Sequence, residues 1–131
     1  MVVMGPGTGL GEGYLTKSVF SKCYEVFSSE GGHTDFSVRN EDDWKLRQFA
    51  LDYIKNSKNV ENKRSAEEIT RVSIERLCAG PAVPLIYEYL KLQHPDLKRV
   101  LEDDKSPDEL QSGDIIKCGM DTQDELCMLV V

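Results

Sequence analysis

The sequence lacks a long apolar run and an excess of basic residues. None of its hydrophobic stretches approaches the roughly 18 residues that a membrane-spanning helix requires. It has 16 Lys and Arg against 23 Asp and Glu, which gives a formal net charge of -7. It therefore lacks the excess of basic residues that binds the phosphates of nucleic acid. We therefore expect a soluble protein that binds neither membranes nor nucleic acid.

Clustered cysteines and the pattern of a signal peptide are also missing from this sequence. There is no Cys-x-x-Cys pair and no histidine at zinc-finger spacing, so we expect the four cysteines to be reduced and structural and assign no metal ligand. No Lys or Arg precedes the short apolar start of the chain, and no small-residue cleavage pattern follows it. The cytoplasm is the compartment we expect, and an organelle address outside this sequence stays open.

What is present is the composition of one globular domain. The 131 residues are 40% hydrophobic and 30% charged, enough for one core and too few for two ordinary domains. The first 28 residues alternate glycine turns with three short β-forming runs, which predict a small β-meander: Val2 to Met4, Tyr14 to Leu15 and Tyr24 to Phe27.

From Asn40 onward the pattern is helical. Asn40 is a candidate N-cap, and the acidic residues after it favour the positive end of a helix of about four turns. Its apolar side chains have helical spacing at Trp44, Phe49, Tyr53 and Ile54. Ser65 with Glu68 forms a capping box that predicts a second, shorter helix.

Two further helical segments follow. Pro81 suits the first turn of a helix whose apolar residues line one face up to His94-Pro95; they are Val83, Ile86, Tyr87 and Leu90. A cap, a proline and acidic residues at 106–109 precede the helical spacing of 114–131, which we expect to break at Gly119. The residues from Leu126 to Val131 are almost all apolar, so we expect them to be covered and the chain to be a piece of a longer protein.

The glycine-rich loop Gly5 to Gly11 is the first candidate site. It fits neither the dinucleotide fingerprint nor the phosphate-binding loop that ends in Gly-Lys-Ser/Thr. Its bare amides and the Thr8 hydroxyl are suited to surround a phosphate or an oxyanion. A plain tight hairpin is the alternative.

Two other segments carry candidate polar groups. In SSEGGHTDF, Glu30 and His33 have the acceptors and donors that grip neighbouring sugar hydroxyls, although an ordinary polar turn is the alternative. Asp35 is suited to a general base or to an Asx turn. Glu75 follows Ser73, a plausible cap, so its carboxylate is equally suited to stabilise a helix dipole.

Taken together, three segments resemble the bacterial-type glucokinases in order and spacing. They are GPGTGLGEGYL, then SEGGHTDF with the acidic start NEDDW, then VSIERLCAGPAVPLIYEYL. The resemblance is close over residues 2–93 and looser from Leu97 onward. It implies an α/β fold: an incomplete ribonuclease H-like lobe of the actin-like ATPase type, forming part of the large domain, with residues 1–36 as the β-meander and 40–131 mainly helical.

The resemblance also implies site residues and ligands. Glu30, His33 and Glu75 match family positions that hold glucose, and the Gly-Thr-Gly loop at residues 7–9 matches the ATP phosphate site, which would assign that role to Gly7, Thr8 and Gly9. ATP and Mg²⁺ are the implied cofactors, and a homodimer is the implied assembly. The implied reaction is the phosphorylation of glucose to glucose 6-phosphate in glycolysis.

The departures from the family bear on catalysis. The Asp-Gly-Gly-Thr phosphate loop, the Asn-Asp-Phe segment that carries the base, and a second glycine-pair motif near the adenosine have no match in this sequence. We therefore assign no catalytic residue, decline that role for Asp35 and expect this chain alone to be inactive. The alternative hypothesis is a non-catalytic module, derived from a sugar kinase lobe, that binds a sugar or another protein.

Overall fold

Three antiparallel strands open the chain in the computed structural model, which describes residues 1–56, 69–99, 101, 109–121 and 124–130. The strands pair in chain order and are β1 (Val2–Pro6), β2 (Leu10–Lys17) and β3 (Tyr24–Ser29). Pro6 pairs with Leu10 across the first turn, and Glu12 pairs with Ser29. The predicted β-meander is confirmed, with strands longer than the apolar runs suggested.

The sheet contributes little to the hydrophobic core. Leu10 is its one buried apolar side chain among the described residues, whereas Val3 is 50% and Val26 is 73% exposed. Tyr14 and Phe27 stack across β2 and β3 with their ring centroids 5.2 Å apart. The sheet therefore serves mainly to hold its turns and strand ends in place.

Within the described ranges, a short 3-10 helix and five α-helices follow the sheet. The 3-10 helix spans Gly31–His33, and the α-helices are α1 (Glu41–Asn56), α2 (Glu75–Cys78), α3 (Ala82–Gln93), α4 (Ser112–Asp121) and α5 (Glu125–Val130). None of these described helices is both long and apolar enough to cross a membrane.

The N-terminus of α1 is built as its sequence predicts. The Asp43 amide donates to Asn40 Oδ1 at 2.8 Å, and the Arg39 amide donates to Asp43 Oδ2 at 3.0 Å. Three acidic residues occupy the first turn, where they complement the helix dipole. The predicted helix at Ser65 to Glu68 and the cap at 106–108 lie outside the described residues.

Two predictions of helix boundaries are wrong. Gly119 lies inside α4, which ends at Asp121; a helix tolerates an internal glycine at a cost of about 1 kcal/mol. A new cap restarts the helix, since Asp124 Oδ1 accepts from the Cys127 amide at 2.7 Å. Similarly, the N-cap of α2 is Ile74 rather than Ser73, and no side chain caps that helix.

Helix α3 lies between two hydrophobic clusters. Tyr87 is buried with residues of α4 and α5, including Ile115 and Leu126. Leu85 and Ile86 instead pack with α1 residues such as Leu51. The prediction of one apolar face on α3 is therefore wrong at Ile86, because the helix buries side chains on two sides.

The expected burial of the last residues is partly confirmed. Leu126 and Cys127 are fully buried in the α3, α4 and α5 cluster. Met128 and Leu129 are each more than half exposed.

Trp44 in α1 is also half-exposed, and the Arg47 guanidinium lies 5.8 Å from the centre of its ring.

Candidate functional site

A short backbone ladder connects the end of the sheet region to the start of α2. The Ile74 amide donates to the Thr34 carbonyl at 2.9 Å, and the Phe36 amide donates to the Val72 carbonyl at 2.8 Å. Asp35 and Ser73 form the antiparallel bridge between these bonds. Because the ladder fixes the two segments side by side, it brings His33 close to Glu75 despite their separation in sequence.

The three residues predicted to contact sugar lie together. His33 Nδ1 is 3.6 Å from Glu75 Oε1, and His33 Nε2 is 3.4 Å from Glu30 Oε2. These distances exceed those of good hydrogen bonds, so the charged and polar groups face each other without forming short hydrogen bonds. The side chains of Glu30 and His33 are 87% and 56% exposed, which leaves one side of the cluster open to a ligand.

Glu75 is the anchored member of this cluster. Its side chain is only 23% exposed. Its Oε2 accepts a hydrogen bond of 2.9 Å from the Leu10 amide, at the start of β2, while its Oε1 faces His33. One carboxylate therefore joins the glycine-rich turn to the cluster of Glu30 and His33.

The turn at residues 7–9 is held by backbone bonds on both sides. The Gly7 amide donates to the Gly9 carbonyl at 2.8 Å, and the Gly80 amide donates to the Gly7 carbonyl at 2.7 Å. Since the Gly7 amide is used inside the turn, the Thr8 hydroxyl and the amides of Thr8 and Gly9 are its remaining donors for an anion. The start of α4 is tied to the same point, because Ser112 Oγ donates to the Gly80 carbonyl at 2.7 Å.

Close approach, rather than unusual backbone conformation, explains the glycines of this region. No glycine among the described residues has a positive φ. A Cβ at Gly9 would lie 2.7 Å from Glu75 Oε2, and a Cβ at Gly32 would lie 2.5 Å from the Leu10 carbonyl oxygen. The glycine pair before His33 thus lets the 3-10 helix lie directly against β2.

The model of the family described as Glucokinase matches residues 1–131, which is the whole chain. The chain belongs to the glucokinase family. A curated glucokinase from Trichormus variabilis is 36% identical over 106 residues, which cover 77% of this chain and 27% of the relative. The chain therefore spans about a quarter of the length of curated glucokinases such as this one.

Solved glucokinases show the same fold. The enzyme from an Antarctic psychrotroph matches 98% of this chain and 32% of its own, with a TM-score of 0.60 and 25% identity. The glucokinase of Balamuthia mandrillaris, solved in complex with glucose, matches 98% of this chain and 31% of its own, with a TM-score of 0.61 and 22% identity. The chain is an α/β protein whose sheet and helices form part of an actin-like ATPase lobe.

Sequence reasoning missed Glu12, which supports this candidate site. Glu12 lies on β2 opposite Ser29, and its Oε1 accepts from Ser29 Oγ at 2.9 Å. Ser29 Oγ in turn accepts from the Gly31 amide at 3.0 Å. Glu12 therefore helps to fix the turn that presents Glu30. The strand register was the signal that could have revealed it, and the sequence pattern alone does not define that register.

Asp35 has a structural partner rather than an Asx turn. The Arg71 guanidinium donates to Asp35 Oδ1 at 3.2 Å and to the His33 carbonyl at 2.7 Å through the same Nη1 atom. Both side chains are more than half exposed. The pair therefore links the two sides of the ladder beside His33.

Proposed function

We propose that this chain provides the glucose-contacting and phosphate-facing part of an ATP-dependent glucokinase. The intact enzyme would convert glucose to glucose 6-phosphate, and residues 1–131 would belong to its large domain. Family membership supports the reaction class. The observation that carries the proposal is the position of Glu75, whose two carboxylate oxygens connect the predicted sugar cluster with the predicted phosphate turn.

On the sugar side, Glu30, His33 and Glu75 would hold glucose hydroxyls. Carboxylate oxygens accept from hydroxyl groups, and each imidazole nitrogen donates or accepts according to the tautomer. The gaps of 3.4 and 3.6 Å around His33 leave both nitrogens able to turn toward a sugar hydroxyl. Glu75 would provide the fixed acceptor, because its other oxygen is already bound to β2.

On the phosphate side, the turn at residues 7–9 would face the phosphoryl group. The Thr8 hydroxyl with the amides of Thr8 and Gly9 fits a phosphate oxygen, since such donors offset charge that develops during transfer. ATP would supply the phosphoryl group, with Mg²⁺ carried on its phosphates. The base that accepts the proton of the sugar hydroxyl would come from residues outside this chain. A homodimer and a cytoplasmic location stay predictions.

The proposal is tested by titrating glucose into the isotopically labelled chain and following its amide signals by NMR. We expect shifts to concentrate at Gly9, Leu10, Gly31 and His33, which surround the Glu75 carboxylate. The Glu75→Gln variant keeps a carbonyl oxygen for the Leu10 amide but replaces a charged acceptor with a donor. It should therefore fold normally and lose most of the glucose-dependent shift.

The matched control is Glu25→Gln, which removes one negative charge from an exposed position on β3, at the end of the strand far from Glu30. This variant should respond to glucose as the unchanged chain does. Equal responses from Glu75→Gln and Glu25→Gln would contradict the proposed sugar site, as would glucose shifts that avoid the 3-10 helix.

A further inference from the structure

A second cluster of polar groups lies outside the proposed sugar and phosphate sites. It consists of Cys118 on α4, Asp124 immediately before α5, and Cys127 on α5. The two cysteine sulfurs and a carboxylate oxygen all lie within 4.8 Å of one another. Asp124 and Cys127 are fully buried, whereas Cys118 is half-buried, so the cluster is reached from the side of α4.

The carboxylate of this cluster is fixed by the backbone. Asp124 Oδ1 accepts from the Cys127 amide at 2.7 Å, and Asp124 Oδ2 accepts from the Leu101 amide at 3.0 Å. Supporting hydrogen bonds of this kind orient metal-binding carboxylates in proteins. The helices that carry the sulfurs are held by the fully buried Ile115 and Leu126. The three ligand atoms therefore converge on a rigid frame.

The donor set selects the kind of cation. Thiolate sulfur favours zinc and other thiophilic metals, whereas Ca²⁺ and Mg²⁺ prefer sites made of oxygen alone. Around a tetrahedral zinc ion with Zn–S bonds near 2.3 Å, two sulfurs stand about 3.8 Å apart. Sulfurs that already lie within 4.8 Å of each other need only small side-chain shifts to reach that separation.

We propose that Cys118, Asp124 and Cys127 form a zinc site that ties α4 to α5. Zn²⁺ would have three protein ligands and one water, with the water on the half-exposed side near Cys118. Binding converts both thiols to thiolates and releases their two protons to solvent. The site is separate from the Mg²⁺ of the proposed phosphoryl transfer and does not depend on the proposed function.

The first test is a titration of the reduced, chelator-treated chain with Co²⁺, a spectroscopic substitute for zinc. We expect one equivalent to bind with a sulfur-to-cobalt charge-transfer band and tetrahedral ligand-field bands, and we expect Zn²⁺ to abolish both. Alkylation followed by mass mapping should show that Zn²⁺ protects Cys118, while Cys23 and Cys78 stay reactive. A chain that binds no cobalt through sulfur, or whose Cys118 is not protected by zinc, would overturn the proposal.

Variants identify the ligands. Cys118→Ala removes a half-buried ligand and should weaken cobalt binding by more than the roughly 10- to 100-fold that loss of a supporting residue typically causes. The double variant Cys23→Ser, Cys78→Ser removes the two exposed thiols and should bind as the unchanged chain does. Undiminished binding by Cys118→Ala, or its loss in the double variant, would show that the sulfur ligands lie elsewhere.

Discussion

At the scale of single residues, Gly9 is required by its neighbour and not by its own backbone conformation. A methyl group there would lie 2.7 Å from Glu75 Oε2 and would displace the carboxylate from the Leu10 amide. The carboxylate is the far end of a flexible side chain and can swing aside, so we expect Gly9→Ala to lower the free energy of unfolding by about 1 kcal/mol, the usual cost of one lost hydrogen bond, and to weaken glucose binding. Urea denaturation and the NMR titration measure the two effects.

Gly5→Ala is the matched control for this prediction. Gly5 is also a glycine of the first hairpin, but a Cβ at this position meets no atom within 4 Å. Its substitution should change stability by no more than about 0.5 kcal/mol. If both variants lower the free energy of unfolding by the same amount, the close approach of Gly9 to Glu75 does not contribute to stability.

Burial should also separate the four cysteines by reactivity. Burial is the main cause that raises the pKa of the Cys127 thiol, so this group stays protonated and unreactive near neutral pH. Cys23 and Cys78 are exposed. In metal-free buffer with chelator, a thiol reagent should modify the two exposed cysteines first and Cys127 only on unfolding, as mass mapping will show. Rapid labelling of Cys127 in the folded chain would contradict its burial.

At the scale of elements, the correct predictions are those that depend on local sequence patterns. Strands β1 to β3 and the helices at Asn40 and Pro81 follow from turn glycines, caps and helical spacing. The wrong predictions concern helix boundaries and a tertiary partner: Gly119 continues α4, Ile74 rather than Ser73 is the N-cap of α2, and Ile86 packs against the α1 cluster. No periodicity in one segment reveals which second element will cover it.

The candidate site shows the same division. The order of motifs in the chain selects Glu30, His33 and Glu75 as candidates, but it leaves open whether Glu75 is an ordinary residue in the first turn of a helix. Helix α2 has only four residues, and the Glu75 carboxylate bonds to the Leu10 amide of another element. The ladder that carries it there depends on long-range backbone pairing, which the sequence pattern does not define.

The cap of α1 provides a prediction for an element. Asn40→Ala leaves the Asp43 amide without its side-chain acceptor, so it should lower the free energy of unfolding by about 1 kcal/mol. Asn40→Asp keeps an acceptor and adds a charge that suits the helix N-terminus, so it should retain stability or gain slightly. Urea denaturation followed by circular dichroism measures both. Equal losses from the two variants would show that the cap bond does not stabilise α1.

At the scale of the whole molecule, the described part of the chain places its candidate binding groups beside a sheet whose apolar residues are sparsely covered. Both hydrophobic clusters are formed by helices and their flanking segments, while apolar strand residues such as Val3 and Val26 stay exposed. Exposed apolar surface and open strand edges are where proteins meet other segments or other chains. Phosphoryl transfer adds a further requirement, since it relies on the exact placement of both substrates and on charges around the transferred group.

Binding and turnover should therefore separate in this chain. With ATP, Mg²⁺ and glucose, a coupled assay should detect no glucose 6-phosphate above the blank, even in samples whose NMR signals respond to glucose. The reason is that, in the proposed site, Glu75 and Glu30 accept hydrogen bonds from the sugar, while Asp35 is paired with Arg71. Turnover that disappears in the Glu30→Gln, His33→Ala variant would contradict this prediction. It would mean that a group of this chain accepts the proton of the sugar hydroxyl. Asp35→Asn would then be the first variant to measure, because Asp35 is the carboxylate nearest to His33 in sequence that lies outside the proposed sugar cluster.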